Sequence, residues 1–150
     1  MSDLRELYQE IVLDHNSRPR NYRALEDADR TVEGFNPLCG DQLTVYVKFE
    51  NGVIEDVAFQ GKGCAISRAS SSLMTQAVKG KTTQEAKRIF GAFREMITKG
   101  EDADLDGVDL GDLEVLAGVA DFPSRVKCAS LGWHTLKSAL DDEQEQVTTE

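Results

Sequence analysis

Three cysteines and one aspartate, Cys39, Asp41, Cys64 and Cys128, are the residues of this chain best suited to chemistry. Cys39 lies in the turn-like run Asn36-Pro37-Leu38-Cys39-Gly40-Asp41, ahead of a predicted strand. If the backbone is already extended from Cys39 to Asp41, the two-residue strand period turns both side chains to one side, and a thiolate and a carboxylate face one point. Cys64 follows Gly61-Lys62-Gly63 and opens a predicted helix, and Cys128 falls in about the first turn of the last helix. The positive end of a helix favours the thiolate, which is the form that binds metal and attacks sulfur. Three thiolates and a carboxylate make up a tetrahedral zinc set, and so much soft sulfur suits an iron–sulfur cluster equally. Against this, the spacing holds no Cys-x-x-Cys pair, and each cysteine taken singly also reads as a small buried hydrophobe. Cys128 sits about 200° around its helix from Val126, off the main apolar stripe. Spacing alone leaves metal binding and inert burial both open.

The elements that must position these groups are legible from periodicity. Leu4, Leu7, Tyr8, Ile11 and Val12 recur at helical spacing, and the turn-rich run from Asn16 to Asn21 should end that helix. Gln42–Glu50 and Val53–Gln60 alternate as strands, and the Asn51-Gly52 pair between them is a strong hairpin signal. Thr31–Phe35 is a third, antiparallel strand candidate. Cys64–Lys79 reads as a helix stopped by Gly80. Thr82 and Glu85 form a capping box for the next helix, whose apolar face is Ala86, Ile89, Phe90, Phe93 and Ile97, and which ends at Gly100. A short helix is expected near Asp112–Ala117, and a final one from Ser124 as N-cap to Leu140, with the stripe Val126, Ala129, Trp133, Leu136, Leu140. The fold class is α+β: a small antiparallel sheet of about three strands with helices packed on one face.

Length and composition set outer bounds. At 150 residues, 40% of them hydrophobic, the chain is one domain in size with enough core to need no staples. An odd number of cysteines fits a disulfide framework poorly and a reducing, cytoplasmic setting better. The start is a charged amphipathic stretch without the apolar run of a secretory signal, and no segment has the roughly 20 apolar residues of a membrane span. The net charge of −10 is concentrated: residues 101–121 hold eight acidic and no basic side chains, and residues 141–150 hold five acidic and no basic ones. The remainder carries 14 acidic and 17 basic residues. We therefore expect a domain over residues 1–140, with a dispensable acidic insertion at 101–121, and an acidic, disordered tail at 141–150. The scattered basic residues show no nucleic-acid-binding motif.

The sequence resembles the family of IscU-like and NifU N-terminal-like iron–sulfur cluster assembly proteins over roughly residues 4–140. The resemblance is carried by Leu13-Asp14-His15 with Pro19-Arg20-Asn21, by Asn36-Pro37 with Cys39-Gly40-Asp41, by Phe59, Gly61 and Gly63-Cys64-Ala65-Ile66-Ser67, and by Arg125-Val126-Lys127-Cys128-Ala129. It implies a site made by Cys39, Asp41, Cys64 and Cys128 at one end of the sheet. Lys127 stands where cluster scaffolds of the family carry histidine, and no LPPVK-type chaperone segment is present. Both features, with the additional sequence between Phe93 and Gly118, resemble the SufU branch. That branch implies Zn2+ as cofactor, or alternatively a [2Fe–2S] cluster, and a PLP-dependent, SufS-type cysteine desulfurase as partner, with cluster scaffold proteins downstream. Cys39, beside Gly40, has the most freedom to leave a metal and is the expected sulfur acceptor. Arg125 opposes the helix dipole, which suggests either a role beside the thiolates or simple exposure. His15 reads as a helix-end residue bonded nearby. His134, a heptad from Lys127, does not share the face of Cys128.

Overall fold

The computed structural model describes residues 2–37, 40–141 and 147–148. Helix α1 (Ser2–Ser17) precedes three strands, β1 (Arg30–Asn36), β2 (Asp41–Glu50) and β3 (Val53–Lys62). Helices α2 (Ala65–Val78) and α3 (Thr83–Lys99) follow, then 3₁₀ segments at Gly100–Asp102 and Gly111–Asp121, helix α4 (Pro123–Leu140) and a two-residue strand β4 (Val147–Thr148). The sheet order is β3-β2-β1-β4, with β1, β2 and β3 antiparallel and β4 parallel to β1. The expected α+β arrangement is present, with each predicted strand longer by one or two residues. Strand β4 falls inside the stretch expected to be disordered and pairs Gly34 with Val147; residues 142–146 and 149–150 lie outside the described residues. No helix among the described residues is long and apolar enough to cross a membrane.

Local chemistry explains the boundaries. Asn51 and Gly52 both take positive φ, at 54° and 79°, the pairing a two-residue hairpin with the strand's own twist requires. Thr82 and Glu85 form the reciprocal capping box at the start of α3, and Gly80 (φ 84°) turns the chain between α2 and α3. Helix α1 outruns its expected stop because its end is held by α2: His15 Nδ1 meets Ser72 Oγ at 2.7 Å, and the Asn16 carbonyl accepts from Arg68 Nε at 3.3 Å. Ser124 is not the N-cap of α4. Phe122 holds that place without a side-chain cap, and Pro123 opens the helix, a position its fixed φ and missing N–H suit. The short helix expected near Asp112 is a longer 3₁₀ segment burying Leu113, Val115, Leu116 and Val119.

One face of the sheet is buried. Along β2 the inward row is Leu43, Val45 and Val47, joined by Val32 of β1 and Ile54, Val57 and Phe59 of β3. Helix α4 lies close against this face because Gly34 of β1 has no side chain; a Cβ there would come within 2.1 Å of Thr135 Oγ1. Gly132 does the same for α2, where a Cβ would lie 2.4 Å from Ser71 Oγ. The inward row turns polar at the far end, where the buried Asn36 and Asp41 are cross-strand partners. That end carries the site.

Candidate metal centre

Three elements converge there. Asp41 is the first residue of β2 and is 1% exposed. It follows Gly40, which takes φ 73° and donates its N–H to the Asn36 carbonyl at 2.9 Å, so the chain reverses directly before the carboxylate. Cys64 is the N-cap of α2, and its Sγ accepts from the Ser67 N–H at 3.5 Å. Cys128 lies on α4 with its Sγ 3.8 Å from Asn36 Nδ2 and 3.6 Å from the Ser124 carbonyl.

The contacts among them are direct. Asp41 Oδ1 accepts the Cys64 N–H at 2.9 Å, while the Cys64 thiol lies 3.8 Å from Asp41 Oδ2. Gly63 makes this approach possible, since a Cβ there would sit 2.9 Å from Asp41 Oδ1. One carboxylate oxygen and the Sγ atoms of Cys64 and Cys128 all lie within 4.8 Å of one another. Zinc binds sulfur at about 2.3 Å and carboxylate oxygen at about 2.0 Å, which sets tetrahedral neighbours roughly 3.3–3.8 Å apart. A contraction of about 1 Å or less therefore fits these three donors around one ion. Metal would displace the thiol protons, including the one Cys64 directs at Asp41.

Of the four ligands expected from the sequence, the structure brings together Asp41, Cys64 and Cys128; Cys39 lies outside the described residues. Cys128 departs from its expected setting in two ways. It occupies the second turn of α4, because the helix opens at Pro123, and so it lies beyond the first-turn field. It is also 3% exposed, whereas Val126 on the expected stripe is only half-buried. Helix α4 packs on the sheet, α2 and α3 together, so its buried arc is wider than one stripe and takes in Cys128, Leu131 and Thr135. Arg125 is exposed on the first turn of α4, and among the described residues its side chain has no hydrogen bond or ion pair. His134 packs against the Phe90 ring, away from the centre. Asn36 and Ser67 donate toward the two sulfurs, a role that was not expected; the sequence signal for them was their place in the motifs that carry the family resemblance.

The NifU-like N-terminal domain family model matches residues 7–129. A Bacillus subtilis (strain 168) protein named zinc-dependent sulfurtransferase SufU is 41% identical over 143 residues, covering 95% of each chain. A Streptococcus pyogenes serotype M1 protein named iron–sulfur cluster assembly scaffold protein IscU is 45% identical over 140 residues, covering 93% of this chain and 86% of its own. The solved structure of FiSufU from the thermophile Fervidobacterium islandicum AW-1 superposes with a TM-score of 0.79 at 37% identity, covering 87% of this chain and 94% of that one.

Proposed function

The chain belongs to the NifU-like N-terminal domain family of iron–sulfur cluster assembly proteins, and on that premise we propose that it is a zinc-dependent sulfurtransferase. It accepts sulfur, in the cytoplasm, from the persulfide of a PLP-dependent, SufS-type cysteine desulfurase and passes it toward cluster scaffold proteins. The observation that carries this reading is the convergence of Asp41, Cys64 and Cys128 donor atoms within 4.8 Å. Cys39 is the fourth ligand of the proposed set. Bound zinc would hold the thiols deprotonated and muted as nucleophiles until one is released.

Cys39 is the acceptor. Its thiolate attacks the terminal sulfur of the desulfurase persulfide; a new S–S bond forms on Cys39, the donor S–S bond breaks, and the desulfurase cysteine leaves as thiolate. No external oxidant or reductant is required. Asp41 and Cys64 stay together through the Cys64 N–H bond to the carboxylate, and Cys128 stays fixed by the buried face of α4. Arg125, exposed three residues before Cys128, offers a cation to the incoming persulfide anion. Support for zinc comes from the mixed thiolate–carboxylate donor set, from the similarity to the B. subtilis sulfurtransferase over 95% of both chains, and from Lys127 in place of a further imidazole.

A second reading, a scaffold that builds and hands on a [2Fe–2S] cluster, is favoured by the 45% identity to the S. pyogenes scaffold protein. Metal analysis and visible absorbance of anaerobically purified chain separate the two: one colourless zinc per chain supports the sulfurtransferase, and a stable brown chromophore supports the scaffold. Stimulation of a matched desulfurase adds the residue test. Cys39→Ala should abolish it in a folded protein. Asp41→Ala should loosen zinc while leaving an acceptor thiol in place. Full stimulation by Cys39→Ala would remove Cys39 from the acceptor role.

A further inference from the structure

The connection Gly63–Cys64 joins β3 to α2 and carries one of the candidate ligands. A second segment, residues 20–23, straps the same two elements from outside. On the sheet side, the Phe59 N–H donates to the Asn21 carbonyl at 3.0 Å and the Arg23 N–H donates to the Phe59 carbonyl at 3.1 Å. On the helix side, the Arg20 N–H donates to Ser72 Oγ at 2.8 Å and Asn21 Nδ2 donates to Thr75 Oγ1 at 2.9 Å. Asn21 makes the necessary bend at φ 57°, a conformation asparagine tolerates better than most residues.

Tyr22 is the centre of this strap. Its ring meets Phe59 edge-on at 5.2 Å. Its hydroxyl donates to the Gly61 carbonyl at 2.7 Å and accepts the Gly61 N–H at 3.1 Å, so one group holds both polar atoms of that residue. The Arg68 guanidinium lies over the Tyr22 ring, 5.1 Å from its centroid, and Arg68 is the residue whose N–H donates to the Cys64 carbonyl at 3.1 Å in the first turn of α2. Gly61 needs such a hold. It sits at φ 149° one residue before the end of β3, opposite Leu43 of β2, and a Cβ would fall 2.2 Å from the Gln42 carbonyl. Glycine has the most conformational freedom of any residue, so its backbone is fixed only by what surrounds it.

We infer that Tyr22 is a positioning residue for Cys64: by holding Gly61 at both polar atoms and seating Arg68, it fixes the bend that brings the Cys64 amide onto Asp41 and its sulfur into the candidate centre. The consequence for metal rests on the zinc reading; the clamp itself rests on the contacts above. Tyr22→Phe keeps the ring against Phe59 and under Arg68 and removes only the hydroxyl, so it tests the hold on Gly61 without emptying the site.

Amide hydrogen exchange on the full chain as purified, with the fully buried Val45 as the global reference, should show the Cys64 amide of Tyr22→Phe exchanging about tenfold faster than in the parent while Val45 is unaffected. Zinc affinity measured by chelator competition should fall about tenfold, the usual scale for loss of an outer-shell partner, and the thiolate charge-transfer band of the cobalt(II)-loaded chain should shift. Unchanged Cys64 exchange, or unchanged zinc affinity, would overturn the assignment. A parent chain that takes up no zinc would count against the metal reading alone, and the exchange comparison would still decide for or against Tyr22.

Discussion

At the scale of single residues, a buried imidazole couples the fold to pH. His15 is 4% exposed, and its Nδ1 faces Ser72 Oγ. Ser72 Oγ also accepts the Arg20 N–H, and with one proton and two lone pairs it pairs with the neutral ring in either tautomer. Burial above all, then the Arg20 guanidinium, holds His15 below its ordinary value of 6.5, against the opposite pull of Asp14 and Asp112. The folded state thus prefers the neutral ring, and this contribution is present above about pH 6.5 and lost as pH falls toward the lowered folded value. The melting temperature of the parent should drop through that window, and His15→Gln should flatten part of the drop, with the similarly lowered His134 retaining the rest. Parallel curves for the two proteins would exclude His15. At the candidate site Asp41, Cys64 and Cys128 lie together, a grouping that the sequence offered through the family resemblance and not through spacing. Their supporting groups were not legible, because Asn36, Ser67 and Tyr22 act through hydrogen bonds whose partners are set by tertiary packing, which no spacing encodes.

At the scale of elements, the close packing of helix α4 on β1 and on α2 depends on missing side chains at Gly34 and Gly132. Gly34→Ala would drive a Cβ into Thr135 Oγ1, and overpacking of this kind costs about 1–3 kcal/mol. The urea midpoint should fall accordingly, and zinc should be held less firmly because α4 carries Cys128. Gly91, in the middle of α3 with nothing within 4 Å of a built Cβ, is the contrasting case; Gly91→Ala should gain about 0.5–1 kcal/mol from helix entropy. Equal effects of the two substitutions would contradict this packing account. Strands, hairpin and capping box were readable because each is set by neighbouring residues: alternation, the Asn51-Gly52 turn, and Thr82 with Glu85. The register slip between Lys48 and Phe49, the burial of Cys128 and the pairing of β4 were not, since each depends on what packs against the element from elsewhere in the chain.

At the scale of the whole molecule, the acidic segment divides in two. Leu110, Leu113, Val115, Leu116 and Val119 join the core, whereas Asp102, Asp104, Asp106 and Asp109 offer carboxylates at its edge. Replacing Glu101–Gly107 by a short Gly-Ser linker should cost some stability through the half-buried Leu105 and leave zinc content intact; loss of zinc would show that the segment supports the centre. Metal itself should matter more. Structural zinc contributes about 10–16 kcal/mol in small peptide domains, against whole-domain stabilities of about 5–15 kcal/mol, so verified removal of zinc should lower the melting temperature substantially, and an unchanged melt would deny zinc a structural role. The most direct test of the central claim is the position of transferred sulfur. After the chain is mixed with a cysteine desulfurase and cysteine, mass spectrometry of its peptides should find one added sulfur on Cys39, with Cys64 and Cys128 unmodified. Sulfur on Cys64 or Cys128 with Cys39 untouched, or no persulfide on any cysteine, would contradict the account.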